Sequence, residues 1–157
     1  MSTRSRIIVP IIKEYKNKRL IDSISYNSII LSDDYVMVTC HFDGYIEGVG
    51  KILKENIKTY EEAIDIVSHG DLSSLNINKE GNLIVDAYIS DKNENWKYVK
   101  PKQTNNIEKP SIDLWLDTEY LYLYIPNPDK NIESNWKVAK RTSIDWNKPN
   151  IPEYRYF

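Results

Sequence analysis

The chain has 157 residues and a net charge of −2, with a pI near 5.7. It lacks the basic field of a general nucleic-acid binder, so nucleic acid is not a favoured partner, and no acidic block is long enough for a dedicated DNA mimic. The apolar fraction of 41% and charged fraction of 28% are ordinary for a soluble folded protein, and the single cysteine, Cys40, excludes an internal disulfide and suits a reducing cytosol.

At this length a single domain over residues 1–157 is expected, with a core large enough to need no staples. The 22 isoleucines and 12 tyrosines favour strands, because β-branched and aromatic side chains pack well on a pleated surface. No run approaches the roughly 18 apolar residues of a membrane span. The apolar stretch after the basic Met1–Arg6 is broken by Pro10 and Lys13, too soon for a secretory signal. A cytoplasmic protein with no membrane partner is expected.

Arg6 to Ile12 predicts a first strand that lies at an edge or ends at Pro10, which has no amide to donate. Lys13 to Arg19 suggests a turn, Leu20 to Leu31 a weakly patterned strand, and Asp33-Asp34 another turn. Tyr35 to His41 predicts a strand, with Val36, Val38 and Cys40 on one face and His41 on the other; Asp43 joins the side of His41 if the chain stays extended.

Gly48 to Ile57 has apolar residues at 49, 52, 53 and 57, the spacing of a helix. Thr59-Tyr60-Glu61-Glu62 reads as a capping box for a second helix with a stripe of Tyr60, Ala63, Ile64 and Val67, closed by His69 and Gly70. Asp71 to Leu75 suggests a turn with two apolar anchors, and Lys79-Glu80-Gly81-Asn82 a hairpin turn leading into an alternating strand, Leu83 to Ser90. Residues 91–110 predict a polar surface excursion. Ser111 to Glu119 predicts a short helix, and Tyr120 to Ile125 a strand with Leu121, Leu123 and Ile125 inward and three tyrosines on the reverse. Trp136 to Lys140 completes a hairpin, and the tail, 142–157, is expected to be irregular. Together these elements predict an α+β fold, mostly antiparallel, with two consecutive helices packed on one face.

Three segments carry a resemblance: Met1 to Ser5, Cys40 to Glu47 and Gly70 to Leu75. They resemble an uncharacterised family of small bacteriophage proteins that begin Met-Ser-Thr-Arg-Ser, carry a Cys-His-Trp-Asp-Gly-Tyr-Pro-Glu segment and continue with Gly-Asp-Leu-Ser-Ser-Leu. This chain has Phe42 where the family has Trp, and Ile46 where it has Pro. At Ala87 to Asn95 it lacks a histidine and two arginines of the family's pattern, while Glu119 to Tyr124 with Trp136-Lys137-Val138 looks like the family's last hairpin. The resemblance implies a phage or prophage origin and names no activity.

The stretch from Cys40 to Gly50 concentrates the chemistry, with a histidine, two carboxylates and three of the chain's five glycines. One reading is a site for a nucleotide-like anion, because a glycine-rich turn feeding a helix offers unpaired amides and the positive end of a dipole. Its residues are His41, Asp43, Gly44, Tyr45, Gly48, Gly50 and Lys51, although no Gly-Lys-Ser/Thr follows. A second reading makes His41, Asp43 and Glu47 a metal or acid–base centre, since imidazole and carboxylates can hold a divalent ion or move a proton near neutral pH. No metal or cofactor is expected, and Cys40, predicted on the core face, is a poor nucleophile. A third reading is a protein-binding aromatic face made of Tyr88, Tyr120, Tyr122, Tyr124 and Trp136. The leading expectation is a phage accessory protein of the host cytoplasm that binds and inhibits a host protein such as a defence component. The alternative is a ligand-binding or hydrolytic protein centred on 41–50. A homodimer through a strand edge or the tyrosine face remains open.

Overall fold

The computed structural model describes residues 3–11, 35–87, 99–126, 128–145 and 147–157. The strand expected at Leu20–Leu31, the turns at 13–19 and 33–34, and Tyr88, Trp96 and Trp146 lie outside the described residues.

Among the described residues eight strands form one mixed sheet: β1 (Ser5–Pro10), β2 (Tyr35–Cys40), β3 (Leu72–Ile77), β4 (Leu83–Ala87), β5 (Lys102–Thr104), β6 (Tyr120–Tyr124), β7 (Trp136–Lys140) and β8 (Arg155–Tyr156). The order is β4-β3-β2-β1-β6-β7-β8, with β5 also paired to β2. Most neighbours are antiparallel, while β1 with β6 and β2 with β3 are parallel. A π turn, Ile46–Gly50, runs into α1 (Lys51–Asn56); α2 (Tyr60–Ser68) follows, and α3 (Ile112–Trp115) stands apart. This is the expected α+β fold.

The sheet is buried on both sides. On the first face Ile7, Val9, Val36, Val38 and Cys40 meet Val49, Leu53 and Ile57 of the α1 region and Tyr60, Ala63, Ile64 and Val67 of α2. On the second, Ile8, Met37, Leu121, Leu123 and Ala139 are covered by Leu114 and Trp115 of α3 and by Ile107. Burying this apolar area from water is the main favourable term in folding, at roughly 25 cal/mol per Å². No helix among the described residues is long and apolar enough to cross a membrane.

The helix signals act as predicted. The Thr59 hydroxyl accepts from the Glu62 amide at 3.1 Å while the Glu62 carboxylate takes the Thr59 amide, also at 3.1 Å. Gly70 closes α2 with φ of +80°, a left-handed conformation that side chains resist.

Of the two readings of the first strand the second holds: β1 is central and ends at Pro10. Three expectations need correction. Residues 72–77 are a strand and no turn. A register shift between Leu72 and Ser74 brings Leu72 and Leu75 to the same core despite their three-residue spacing. The excursion, where described, contains β5 and the buried Ile107. The tail ends in β8 against β7.

Substituting Thr59→Ala removes the hydroxyl arm of the capping box. It is expected to lower stability by about 1 kcal/mol, read as a lower urea midpoint at constant slope; an unchanged midpoint counts against the cap's contribution.

Candidate functional site

The corner from His41 to Gly50 turns the chain from β2 into α1. The strand first runs on beside β3, with the His41 amide donating to the Leu72 carbonyl at 3.0 Å and the Phe42 amide to Ser73 at 3.1 Å. Asp43 then takes φ of +55°, a left-handed backbone that Asp tolerates better than most residues. The Gly44 amide donates to the Thr3 carbonyl at 2.9 Å, and Val49 returns to the Asp43 carbonyl at 2.8 Å.

The corner is fastened from across the sheet. The Tyr122 hydroxyl, buried beneath the helices, donates to the Gly44 carbonyl at 2.6 Å. The glycines make this approach possible. A Cβ on Gly44 would stand 2.8 Å from the Thr3 carbonyl oxygen, one on Gly48 would collide with the Asp43 carbonyl, and one on Gly50 would stand 3.0 Å from the Tyr122 ring.

This geometry withdraws the amides on which an anion site at 41–50 depends. Those of Gly44, Gly48, Val49, Gly50 and Lys51 all donate to protein groups, and α1 has only six residues. The acid–base set is also separated. His41 Nε2 stands 3.9 Å from the Asp71 carboxylate, while Asp43 accepts from the Tyr45 hydroxyl at 3.4 Å. Asp43 leaves the side of His41 because the chain stops being extended at φ +55°. Among the described residues no group of three His, Cys, Asp or Glu side chains is placed to hold a metal ion. His69 bonds the Asp65 carbonyl at 2.7 Å at the end of α2. Cys40 is fully buried, and burial pushes its thiol up to about 12, so it stays protonated at neutral pH.

The expected tyrosine face is a core. Tyr122, Tyr124 and Trp136 are each at most 2% exposed because α1 and α2 cover that side of β6 and β7. Their polar atoms are matched inside: the Tyr124 hydroxyl donates to the Lys58 carbonyl at 3.4 Å and Trp136 Nε1 to Ile57 at 2.9 Å. Tyr120 is half-buried and stacked on Tyr122.

What the corner presents outward is Phe42, 47% exposed, and Tyr45, 41% exposed, with the exposed carboxylates of Asp43 and Glu47 in the same ten residues. The Asp43 carboxylate raises the pKa of the Tyr45 hydroxyl, with a further contribution from Glu47, so the two acids act on the ring's polar end. Phe42 was readable only as a variant of the resembling segment; its exposure depends on the turn at Asp43.

Beneath the corner, on the second face, lies a polar cluster that periodicity did not reveal. Arg6, cross-strand from Thr39, is 3% exposed, and its Nη1 donates to Met37 Sδ at 3.5 Å. Burial lowers its pKa, and the carboxylates of Asp71, Asp113 and Asp117 oppose that shift. Asp71 also accepts the Thr39 amide at 3.0 Å, so one carboxylate serves the strand end, the histidine and the buried arginine's field. The available signal was a charged residue directly before Ile7-Ile8 in a strand otherwise apolar.

Two outcomes follow from this packing. Tyr122→Phe leaves the Gly44 carbonyl buried without its donor and is expected to cost about 1–3 kcal/mol, measured by chemical denaturation; a loss near zero shows that the corner holds itself. Burial also raises the titration of the Tyr122 and Tyr154 hydroxyls, like that of the Cys40 thiol, above ordinary values. Above about pH 9 the unfolded chain therefore releases protons that the folded chain retains. Stability is full below that pH and falls as pH rises, by up to about 1.4 kcal/mol per pH unit for each group. Urea midpoints that stay flat between about pH 8 and pH 11 contradict this assignment.

Comparison of the chain with protein-family models, with curated proteins and with solved structures finds no match in any of the three.

Proposed function

We propose that the protein is a phage accessory protein that works inside the host by binding, and that it inhibits a host protein through the corner at Phe42, Asp43, Tyr45 and Glu47. One observation carries the reading: two aromatic side chains are roughly half exposed on a loop whose backbone is fastened at Gly44 by a buried hydroxyl. Rigid aromatic side chains lose little conformational entropy on docking and dominate the energetics of many interfaces. The exposed carboxylates of Asp43 and Glu47 add polarity. The complementary partner surface is an apolar pocket rimmed by lysine or arginine, with the charges serving encounter and orientation more than affinity. The resembling phage proteins carry Trp at the place of Phe42, an aromatic in both.

The rival reading, a ligand-binding or hydrolytic corner, is less favoured because the Gly44, Gly48 and Gly50 amides donate within the fold and Asp43 accepts from Tyr45. The two readings separate in one experiment. Host lysate is passed over the wild-type chain, a Phe42→Ala/Tyr45→Ala double variant, and Ile144→Ala, which truncates a side chain that is 97% exposed elsewhere. The expected result is a partner retained by wild type and by Ile144→Ala, and weakened at least about tenfold by the double variant. Equal recovery by the double variant overturns the assignment to the corner.

A further inference from the structure

Residues 136–157 hold five basic and two acidic side chains, a net of +3, which leaves −5 on the rest of a chain whose total is −2. The fold gathers part of this positive charge around an open depression of about 520 Å³, lined by Lys140, Arg155, Val138, Thr142 and Ile151 among others. That volume lies within the usual range for small-molecule sites, roughly 300–1,000 Å³.

Strand geometry sets its cations. Val138 pairs with Arg155 across β7 and β8, so their side chains share a face, and Lys140 lies two residues further along the same face of β7. The Lys140 ammonium sits 5.8 Å from the centre of the Tyr120 ring. The opposite wall is held by Asn150. Its Oδ1 accepts the Thr142 amide at 3.1 Å and the Ser143 amide at 3.4 Å, its side-chain amide reaches the Lys140 and Ile151 carbonyls, and its own carbonyl takes Trp115 Nε1 at 2.9 Å. The depression thus exists before any ligand arrives, and preorganisation lowers the cost of binding.

Glu153 also lines it and stands 3.4 Å from Arg155, but both side chains are at least three-quarters exposed. Such a pair holds its partners weakly. The Arg155 guanidinium is therefore free to turn to a better acceptor, with two parallel donors suited to a carboxylate or phosphate. Val138 and the exposed Ile151 supply an apolar wall beside the cations.

We infer that this depression binds a small organic anion, with one phosphate or carboxylate head between Lys140 and Arg155 and an apolar or planar body against Val138 and Ile151. Two cations against one carboxylate match a single anionic head, and a nucleic-acid backbone would bring a second phosphate against Glu153.

The test is a nuclear magnetic resonance titration of the full chain with adenosine monophosphate, benzoate and inorganic phosphate, beside a thymidine oligonucleotide. Saturable shifts confined to amides of residues 138–155 are expected, with adenosine monophosphate or benzoate tighter than inorganic phosphate. The first two ligands also distinguish a phosphate from a carboxylate head. Lys140→Ala and Arg155→Ala are each expected to weaken binding about tenfold. Ile151→Asp should weaken it too, and Glu153→Gln should strengthen it. All four positions lie at the surface of the depression, and unchanged spectra elsewhere confirm folding. No saturable shift at millimolar ligand, or affinity indifferent to Lys140→Ala and Arg155→Ala, overturns the site. Tight oligonucleotide binding that adenosine monophosphate does not compete overturns it in favour of a backbone-tracking surface. None of these residues belongs to the corner, so the outcome is independent of the proposed protein partner.

Discussion

The Tyr122 hydroxyl connects parts of the chain that sequence leaves far apart. It rises from β6 between the sheet and the helices and bonds the Gly44 carbonyl in the middle of the corner. A hydroxyl buried at this depth must be matched, because an unpaired polar group away from water costs roughly 1–3 kcal/mol. The corner's path is therefore set by the need to satisfy one phenol, and its glycines by the need to admit the backbone and ring against which they pack. The polar groups at 41–50 converge because the backbone bends, and most of its amides serve the bend.

The outward side of the same bend has a different character. Fastening the backbone at Gly44 leaves Phe42 and Tyr45 on the outside, where burial gives them no energetic return within the fold. Single exposed apolar side chains are common. Two aromatics on one anchored turn, beside Asp43 and Glu47, form an organised feature. The second face carries a contrasting device beneath it, a buried Arg6 whose compensating charges, Asp71, Asp113 and Asp117, come from two other segments. A buried cation of this kind contributes specificity of arrangement more than stability, since its desolvation offsets much of the attraction.

Charge is segregated along the chain. The acidic corner follows β2, and the basic depression is built where β8 closes one end of the sheet order. A near-neutral total conceals this division. Composition alone could not place Lys140 and Arg155 around one concavity.

Local chemistry was legible where it is decided locally. The capping box at Thr59 and Glu62, the stripe from Tyr60 to Val67, the left-handed Gly70 and the hairpin turn at Lys79–Asn82 depend on neighbours within about one turn, so residue order determined them. Cys40 on the core face and the hairpin of β6 with β7 followed from alternation. Tertiary structure decided the rest. Alternation divides the residues of β6 into two sides, but it cannot say that both sides are covered; the helices from 46–68 and the segment around α3 did that, turning Tyr122, Tyr124 and Trp136 inward. Nor can spacing along the chain bring Asp71 to His41, or Tyr122 to Gly44 across 78 residues, because such contacts exist only after distant strands have paired. By itself the sequence determined the two main helices, most of the strands and the position of the bend. The pairing of strands remote in sequence decided which side of each element meets water, and therefore which residues are available to a partner.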